Sequence, residues 1–315
     1  MEAIVNAVGC ANDDCYVDPQ ILQKVISLLD WGEDVNADNV DGTTALMMAA
    51  SHGITNVVRC LLERGADVYA SDLDGKTVLM HATEPGIPFL GRAKDRDDTL
   101  RLLLDHGADV NAKDVHGNTT LVRMVAAGHC PMISDWVRLL LEHGANVNSV
   151  NSKGNTILMM IVYRLRSRVE PELPKINLVK LLIEQGANVN SRNKKGWTAL
   201  RVALELGFEH YSAAQLLVEA GASVSLAAND GSTVISTCQE SGERGKEVLR
   251  WLAKMGNPEA ADLIAREERD KKREQERIRD RRIRNKECIM CGKPLGFIDM
   301  LLRRRQHKGC FTFQG

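Results

Sequence analysis

Three cysteines and a histidine close to one another in the sequence have the types and spacing of metal ligands. Two residues separate Cys288 from Cys291, two separate His307 from Cys310, and fifteen lie between the pairs. Thiolate sulfur and imidazole nitrogen are the usual ligands of structural zinc, and paired ligands at such spacings are typical of these sites. We therefore predict that these four side chains bind one structural Zn²⁺ ion.

Four protein ligands complete a tetrahedron and leave no open coordination position for catalysis. A segment as short as 288–315 cannot bury a core of its own, and zinc binding would supply on the order of 10 kcal/mol to its folding. We therefore interpret 288–315 as a small zinc-binding module of knuckle or ribbon type. The alternative is a redox dithiol at Cys288 and Cys291, with His307 and Cys310 incidental.

Composition limits the class of protein. A chain of 315 residues that is 44% hydrophobic folds into one to three domains. Cys60, Cys130 and Cys238 each stand alone in apolar surroundings, which indicates buried thiols in a reducing compartment. The N-terminus makes a poor signal peptide, and no uncharged apolar run approaches a membrane span. We expect a soluble protein of the cytoplasm, or of the nucleus if the cell is eukaryotic, without a membrane partner.

One pattern recurs six times along the chain. A glycine that follows an apolar helix precedes a second glycine by ten residues, then Thr two residues later and Leu or Ile two further on. Glycine suits a left-handed helix end, and Thr suits the cap of the next helix. The second glycines, which we place in turns, are Gly42, Gly75, Gly117, Gly154, Gly196 and Gly231.

The pattern resembles the ankyrin repeat over residues 19–256, about three quarters of the chain. The resemblance implies an all-α solenoid of six helix-turn-helix repeats joined by β-hairpin loops, within a domain at 1–256. The helix predicted at 19–32 would cap this solenoid alone at its N-terminal end. Extra residues fall between the two helices of a repeat, and the two long insertions, at 84–98 and 164–176, are expected to be surface loops.

The chain departs from the family pattern at the Thr-Pro-Leu-His tetrad, which reads TALM, TVLM, TTLV, TILM, TALR and TVIS. The threonine–histidine hydrogen bond of typical repeats is therefore absent, and individual repeats are expected to be less stable. Four asparagines occupy the hairpin position that the family uses to brace the backbone. They are Asn36, Asn111, Asn148 and Asn190.

The resemblance also implies function, because ankyrin proteins bind other proteins through a concave surface of hairpin tips and inner helices. No catalytic motif appears, so we expect no enzyme activity. The first two predicted tips are acidic, with Asp38, Asp41, Asp72 and Asp74; the fourth and fifth are basic, with Lys153, Arg192, Lys194 and Lys195. We predict a monomeric protein–protein interaction adaptor whose polarity orients its partner. The alternative is that polar tips are simply solvated.

The end of the chain differs in charge from the rest. Residues 266–315 hold sixteen Lys or Arg against eight Asp or Glu. Because the whole chain has a net charge of −1, residues 1–265 have a net charge of −9. Asn257 and Pro258 begin a predicted charged helical arm at 257–287. Opposite charges four residues apart, such as Glu267–Lys271 and Arg266–Asp270, favour a solvated helix.

An alternative function uses this basic tail to bind nucleic acid while the repeats recruit another protein. Residues 277–286 contain six basic side chains and one acid, and Arg303–Arg305 add three more bases. Such clusters are the footprint that phosphate contacts require, although the same run is typical of a nuclear-import signal.

Overall fold

A computed structural model describes residues 3–9, 20–84, 93–127, 133–165, 172–205, 211–240 and 242–284. The chain divides into two compact units, Met1–Val234 and Ile235–Gly315. Across the described ranges all regular structure is helical, apart from isolated β-bridges such as Asp38 with Thr44. The all-α prediction is confirmed, and the first four predicted hairpin loops each contain a single bridge instead of strands.

The helices of the first unit come in consecutive pairs, each pair after the first preceded by one hairpin. They are α1 (Ala3–Gly9), α2 (Gln20–Asp30), α3 (Ala45–His52), α4 (Thr55–Glu63), α5 (Val78–Thr83), α6 (Ala93–Asp105), α7 (Thr120–Ala127), α8 (Ile133–Glu142), α9 (Ile157–Arg164), α10 (Glu172–Glu184), α11 (Ala199–Glu205) and α12 (Tyr211–Glu219). We number the hairpins 1 to 6 by their turn glycines, from Gly42 to Gly231, and give each repeat the number of the hairpin that begins it.

The glycine and threonine offsets produce this arrangement locally. All six turn glycines have φ between 71° and 80°, and a Cβ on Gly42 would lie 3.1 Å from the backbone nitrogen of Leu73 in hairpin 2. Glycine is therefore required there both by conformation and by close packing. Thr44 and Thr156 accept hydrogen bonds from the backbone N–H three residues later, which starts the next helix.

The predicted bracing asparagines join successive repeats. The Nδ2 of Asn148 donates to the Gly186 carbonyl at 3.5 Å, and its Oδ1 accepts from the Asn188 N–H at 2.8 Å. Asn36, Asn111 and Asn190 bond the next repeat in the same way. Hairpin 2's repeat has Tyr69 at this position, and that ring is 65% exposed.

The N-terminal cap was predicted as one helix and is a pair. Helix α1 precedes α2 and packs against both α2 and α3. Ile4, Val5 and Val8 form its apolar side and are at most 2% exposed. The expectation of a lone cap helix at 19–32 was wrong, because burial on two neighbours stabilises a helix too short to persist alone.

The two long insertions are only partly loops. Residues 85–92 and 166–171 lie outside the described ranges, but α6 and α10 begin at Ala93 and Glu172 and are 13 residues long, against 9 for α4. Part of each insertion thus lengthens the second helix of its repeat. In α6, the Nε of Arg101 donates to Asp97 at 2.9 Å, a pairing of residues four apart that stabilises this extension.

The second unit contains α13 (Val234–Glu240, which begins at the last residue of the first unit), α14 (Gly242–Lys254) and α15 (Pro258–Arg284). Asn257 caps α15 by accepting from the Ala260 N–H at 2.9 Å. Helices α14 and α15 pack together, and Lys246 of α14 contacts Glu267 of α15 at 2.8 Å.

The whole of α15 is about 40 Å long, and beyond this packed start it is a charged rod. Glu267 pairs with Lys271 at 3.2 Å as the spacing predicts, whereas Arg266 pairs with Asp262 at 2.7 Å instead of Asp270. The predicted zinc ligands Cys288, Cys291, His307 and Cys310 lie outside the described residues, as do Arg303–Arg305. The boundaries 1–256, 257–287 and 288–315 therefore remain predictions.

Candidate functional site

Each of the first five hairpins is built around one Asn or Asp side chain. Its Oδ1 accepts two backbone N–H groups, from the residues two and four positions later, at 2.8–3.0 Å. These side chains hold the tips in one shape, so the tip residues project from fixed positions. They are Asn39, Asp72, Asp114, Asn151 and Asn193.

The choice between Asp and Asn correlates with the side chain on the following helix. In hairpin 2 the second oxygen of Asp72 lies 2.9 Å from His81 Nε2, and in hairpin 3 that of Asp114 lies 2.8 Å from Arg123 Nη1. Hairpins 1, 4 and 5 have Asn, and the helix position opposite is apolar. Its residues there are Met48, Met160 and Val202.

Around hairpins 2 and 3 the charges neutralise one another. Arg123 also contacts Glu84 at 2.6 Å, and Glu84 contacts Lys76 at 3.3 Å. Burial by itself would raise the pKa of Asp114. Hydrogen bonds from the Asn118 backbone and from Arg123 outweigh burial and hold that pKa below its ordinary value.

The predicted acidic tips are only partly available to a partner. Asp38 and Asp41 are exposed, and Asp74 is exposed but lies 3.6 Å from Lys76. The side chain of Asp72 is 7% exposed and is held by its turn and by His81. The acidic end therefore presents Asp38, Asp41 and Asp74, while Asp72 stabilises its own hairpin.

The basic tips come together more closely. Lys153, Lys194 and Lys195 are exposed, line the same groove and form no ion pair with any residue in the described ranges. We call these three side chains the lysine rim. Arg192 is not among the described residues that line the groove, and its guanidinium donates to the Gly196 carbonyl and to Asn229 Oδ1, both at 3.3 Å. Three of the four predicted basic residues thus share one site.

The groove beside the lysine rim has a volume of about 810 Å³ and runs across repeats 3 to 5. Its walls are mainly apolar, with two aromatic rings among them. Principal lining residues are Val125, Met159, Met160, Tyr163, Trp197 and Val202. Tyr163 is 57% exposed, and Trp197 is half-buried. The groove therefore combines an apolar wall with a positively charged edge.

Trp197 connects the two parts of this site. Lys195 Nζ lies 5.0 Å from the centroid of its ring and the Arg201 guanidinium 5.2 Å, distances at which cations are attracted to the indole face. Arg201 is held by Ser232, by hydrogen bonds of 2.7 and 3.0 Å, and by Glu205 at 3.4 Å. Contacts within its own repeat and, through Arg201, with the next repeat therefore hold the indole ring in place.

Two free cysteines in the described ranges have thiols of low reactivity. Cys238 is 6% exposed, and burial raises its pKa to about 11, so the thiol stays protonated at neutral pH. Cys60 is half-buried, and burial raises its pKa as well. Both fit the prediction of structural thiols, while Cys130 lies outside the described residues.

Sequence comparison assigns the fold to a family. The family model for ankyrin repeats (3 copies) matches residues 18–114, 92–170 and 172–274. The chain belongs to the ankyrin-repeat family. The ankyrin array is also similar to the crystal structure of the human ASB11 ankyrin repeat domain, at 21% identity and a TM-score of 0.54. That similarity covers 75% of this chain and 90% of the other, and it supports the fold alone.

A comparison with curated proteins finds no match. Ankyrin repeats are generally non-enzymatic scaffolds that bind proteins, so family membership implies a protein–protein interaction adaptor. No helix in the described part of the chain has the length and apolar character needed to cross a bilayer.

The sequence did not single out Trp197, Tyr163 or Met160 as site residues. Aligning the repeats on their capping threonines would have suggested them. One position before the threonine, Trp197 replaces Lys76 and Asn155; seven positions after it, Tyr163 replaces Glu84 and Glu205. A large aromatic side chain where other repeats have polar ones is the signal.

Proposed function

We propose that this protein is an adaptor that captures a partner protein on the hairpin and inner-helix side of its ankyrin array, with the lysine rim as the main contact. The observation that carries the proposal is the contrast in charge pairing. Arg123 and Lys76 have acidic partners inside the array, whereas the lysine rim has none among the described residues and borders an open groove.

Unpaired lysines beside an apolar wall favour an acidic partner surface. Exposed charges attract a complementary surface over several ångströms and speed its encounter, even where each contact adds little affinity. Asp38, Asp41 and Asp74 at the other end repel the same surface, so the array has a polarity. A partner with both signs of charge would dock in one direction.

The test is charge reversal with a matched control. The double variant Lys194→Glu and Lys195→Glu should lose most capture of partners that affinity purification and mass spectrometry identify with the wild-type protein. The control, Lys24→Glu and Lys180→Glu, makes the same change in net charge on α2 and α10, neither of which supplies a described residue that lines the groove. Equal capture by both variants would contradict the lysine rim as the contact.

The tail remains a separate proposal. In the described part of α15 several basic side chains pair along the helix, including Arg273 with Asp270 at 3.7 Å and Arg277 with Glu274 at 3.8 Å. Such pairing suits a solvated arm that projects the predicted zinc module. Binding of nucleic acid by the tail stays the alternative, and a salt titration distinguishes the two.

A further inference from the structure

We propose that the groove beside the lysine rim binds an acidic peptide segment that carries one large apolar side chain, which inserts between Tyr163 and Trp197. This inference rests on the proposed adaptor function and names the chemistry of the segment that the partner contributes. It follows from a comparison of equivalent positions within the array.

In repeats 2 and 3, the positions equivalent to those of the groove hold charged side chains that pair with one another. There Glu84 contacts Lys76 at 3.3 Å and Arg123 at 2.6 Å, and Arg123 also contacts Asp114, so the charges pair within the array. The four groups saturate one another and leave little for a ligand to gain.

Repeats 4 and 5 have different side chains at these positions. Two repeats further along, the counterparts of Lys76, Glu84 and Arg123 are Asn155, Tyr163 and Val202. Beside them, Met160 stands at the Arg123 position of repeat 4 and Trp197 at the Lys76 position of repeat 5. The internal ion pairs are thus replaced by apolar and aromatic surface, while the positive charge moves to the exposed lysine rim. Such surface gains free energy when another apolar group covers it, and aromatic residues are frequent anchors of binding energy.

The groove is large enough for this ligand and offers it polar contacts. Its volume of about 810 Å³ lies in the range of about 300–1,000 Å³ that is typical of ligand sites. The indole N–H of Trp197 and the hydroxyl of Tyr163 have no hydrogen-bond partner within the described ranges. Both can bond the backbone of a bound segment, while the lysine rim pairs with its carboxylates.

The charge distribution favours a short acidic peptide over a nucleic acid strand. A single strand binds along a continuous basic track with repeated stacking platforms. Here the lysines occupy one edge, the lining also includes Glu205, and residues 1–265 have a net charge of −9. A polyanion would meet repulsion beyond the groove, whereas a segment with a few carboxylates contacts the lysine rim alone.

The experiment measures binding of synthetic peptides to the full-length protein by fluorescence anisotropy. The probe is a labelled peptide in which Asp and Glu flank one Phe. The comparison peptides replace Phe by Ser, or all acids by Lys, and an oligothymidylate of similar length is the nucleic acid arm. We expect saturable binding of the probe, about tenfold weaker binding of the Ser peptide, and none of the Lys peptide.

Three variants locate the site. Trp197→Ala and Tyr163→Ala should each weaken binding of the probe about tenfold, and the rim variant Lys194→Glu and Lys195→Glu should abolish it. The control Lys24→Glu and Lys180→Glu should bind like the wild type. Tyr163 is exposed, so its replacement keeps the fold, and circular dichroism verifies this for Trp197→Ala.

Three results would overturn the inference: no binding of the probe by the wild type, equal binding of the Ser peptide, or tighter binding of oligothymidylate at the same site. The adaptor function is judged separately by capture of the cellular partner. If charge reversal abolishes capture while the probe fails to bind, the adaptor function stands and the acidic–aromatic segment is wrong.

Discussion

Two repeats of this chain show the same pair of positions with and without a buried ion pair. Asp114 and Arg123 occupy the positions in repeat 3 that Asn151 and Met160 occupy in repeat 4. We therefore consider Arg123→Met, Asp114→Asn and the double variant, in which repeat 3 acquires the pair that repeat 4 already has.

The contacts set the expected magnitudes. The side chain of Asp114 is 1% exposed, so Arg123→Met leaves a buried carboxylate without its cation, at a cost of about 3 kcal/mol in unfolding free energy. Asp114→Asn keeps the Oδ1 acceptor of the turn, and Arg123 keeps Glu84 at 2.6 Å; we expect a loss of about 1 kcal/mol. The double variant should lie within about 1 kcal/mol of the wild type, because an apolar replacement of a buried pair is nearly neutral.

The pH dependence has a definite sign. The pKa of Asp114 is lowered in the folded protein, so its contribution is present above the unfolded-state pKa and is lost as pH falls through the folded-state value. The difference in stability between the wild type and Arg123→Met should therefore be largest near neutral pH and shrink on acidification.

The assay is equilibrium denaturation by urea, followed by circular dichroism, at neutral and acidic pH. A double-mutant cycle gives the coupling between Asp114 and Arg123, which these single and double effects put at about 3–5 kcal/mol. Additive effects of the two substitutions, or a double variant no more stable than Arg123→Met, would refute the reasoning that each of these charges offsets the cost of burying the other.

Three further predictions concern the braces and the tail. Asn148→Ala removes both hydrogen bonds to the next repeat and should lower the unfolding free energy, measured by urea denaturation, by about 1–2 kcal/mol. Tyr69 makes no such bridge, so Tyr69→Ala should cost less than half of that; equal losses would contradict the bracing role. Purified protein should contain about one equivalent of zinc by elemental analysis, and Cys291→Ser should lose it while the circular dichroism of the array persists; metal-free wild type with a folded tail would exclude the zinc site. In gel shifts with the full chain, binding of nucleic acid by the tail should fall with a log–log salt slope of about −3 to −7 and disappear when Arg303–Arg305 are neutralised; absence of any shift at low salt would leave the tail as a spacer.

The tip charges show where sequence-based prediction of the site succeeds and where it ends. The acidic and basic ends of the array follow from the residue types in each hairpin, because tip side chains generally stay near the surface. Whether a given charge is free depends on groups distant in sequence. Asp72 is taken by His81, and Arg192 by Asn229 of the next hairpin, so neither is available in the way that Lys153 is.

The sequence alone determined the repeat, its register and the class of fold. Those depend on local requirements: a left-handed glycine, a capping threonine and an apolar residue at fixed offsets, each satisfied within a few residues of its neighbours. Only the tertiary structure decided the groove and the first helix. Tyr163 and Trp197 belong to different repeats and line one groove because the repeats stack, and α1 persists because α2 and α3 bury its apolar side. Contacts between distant segments depend on packing geometry, which no local pattern encodes.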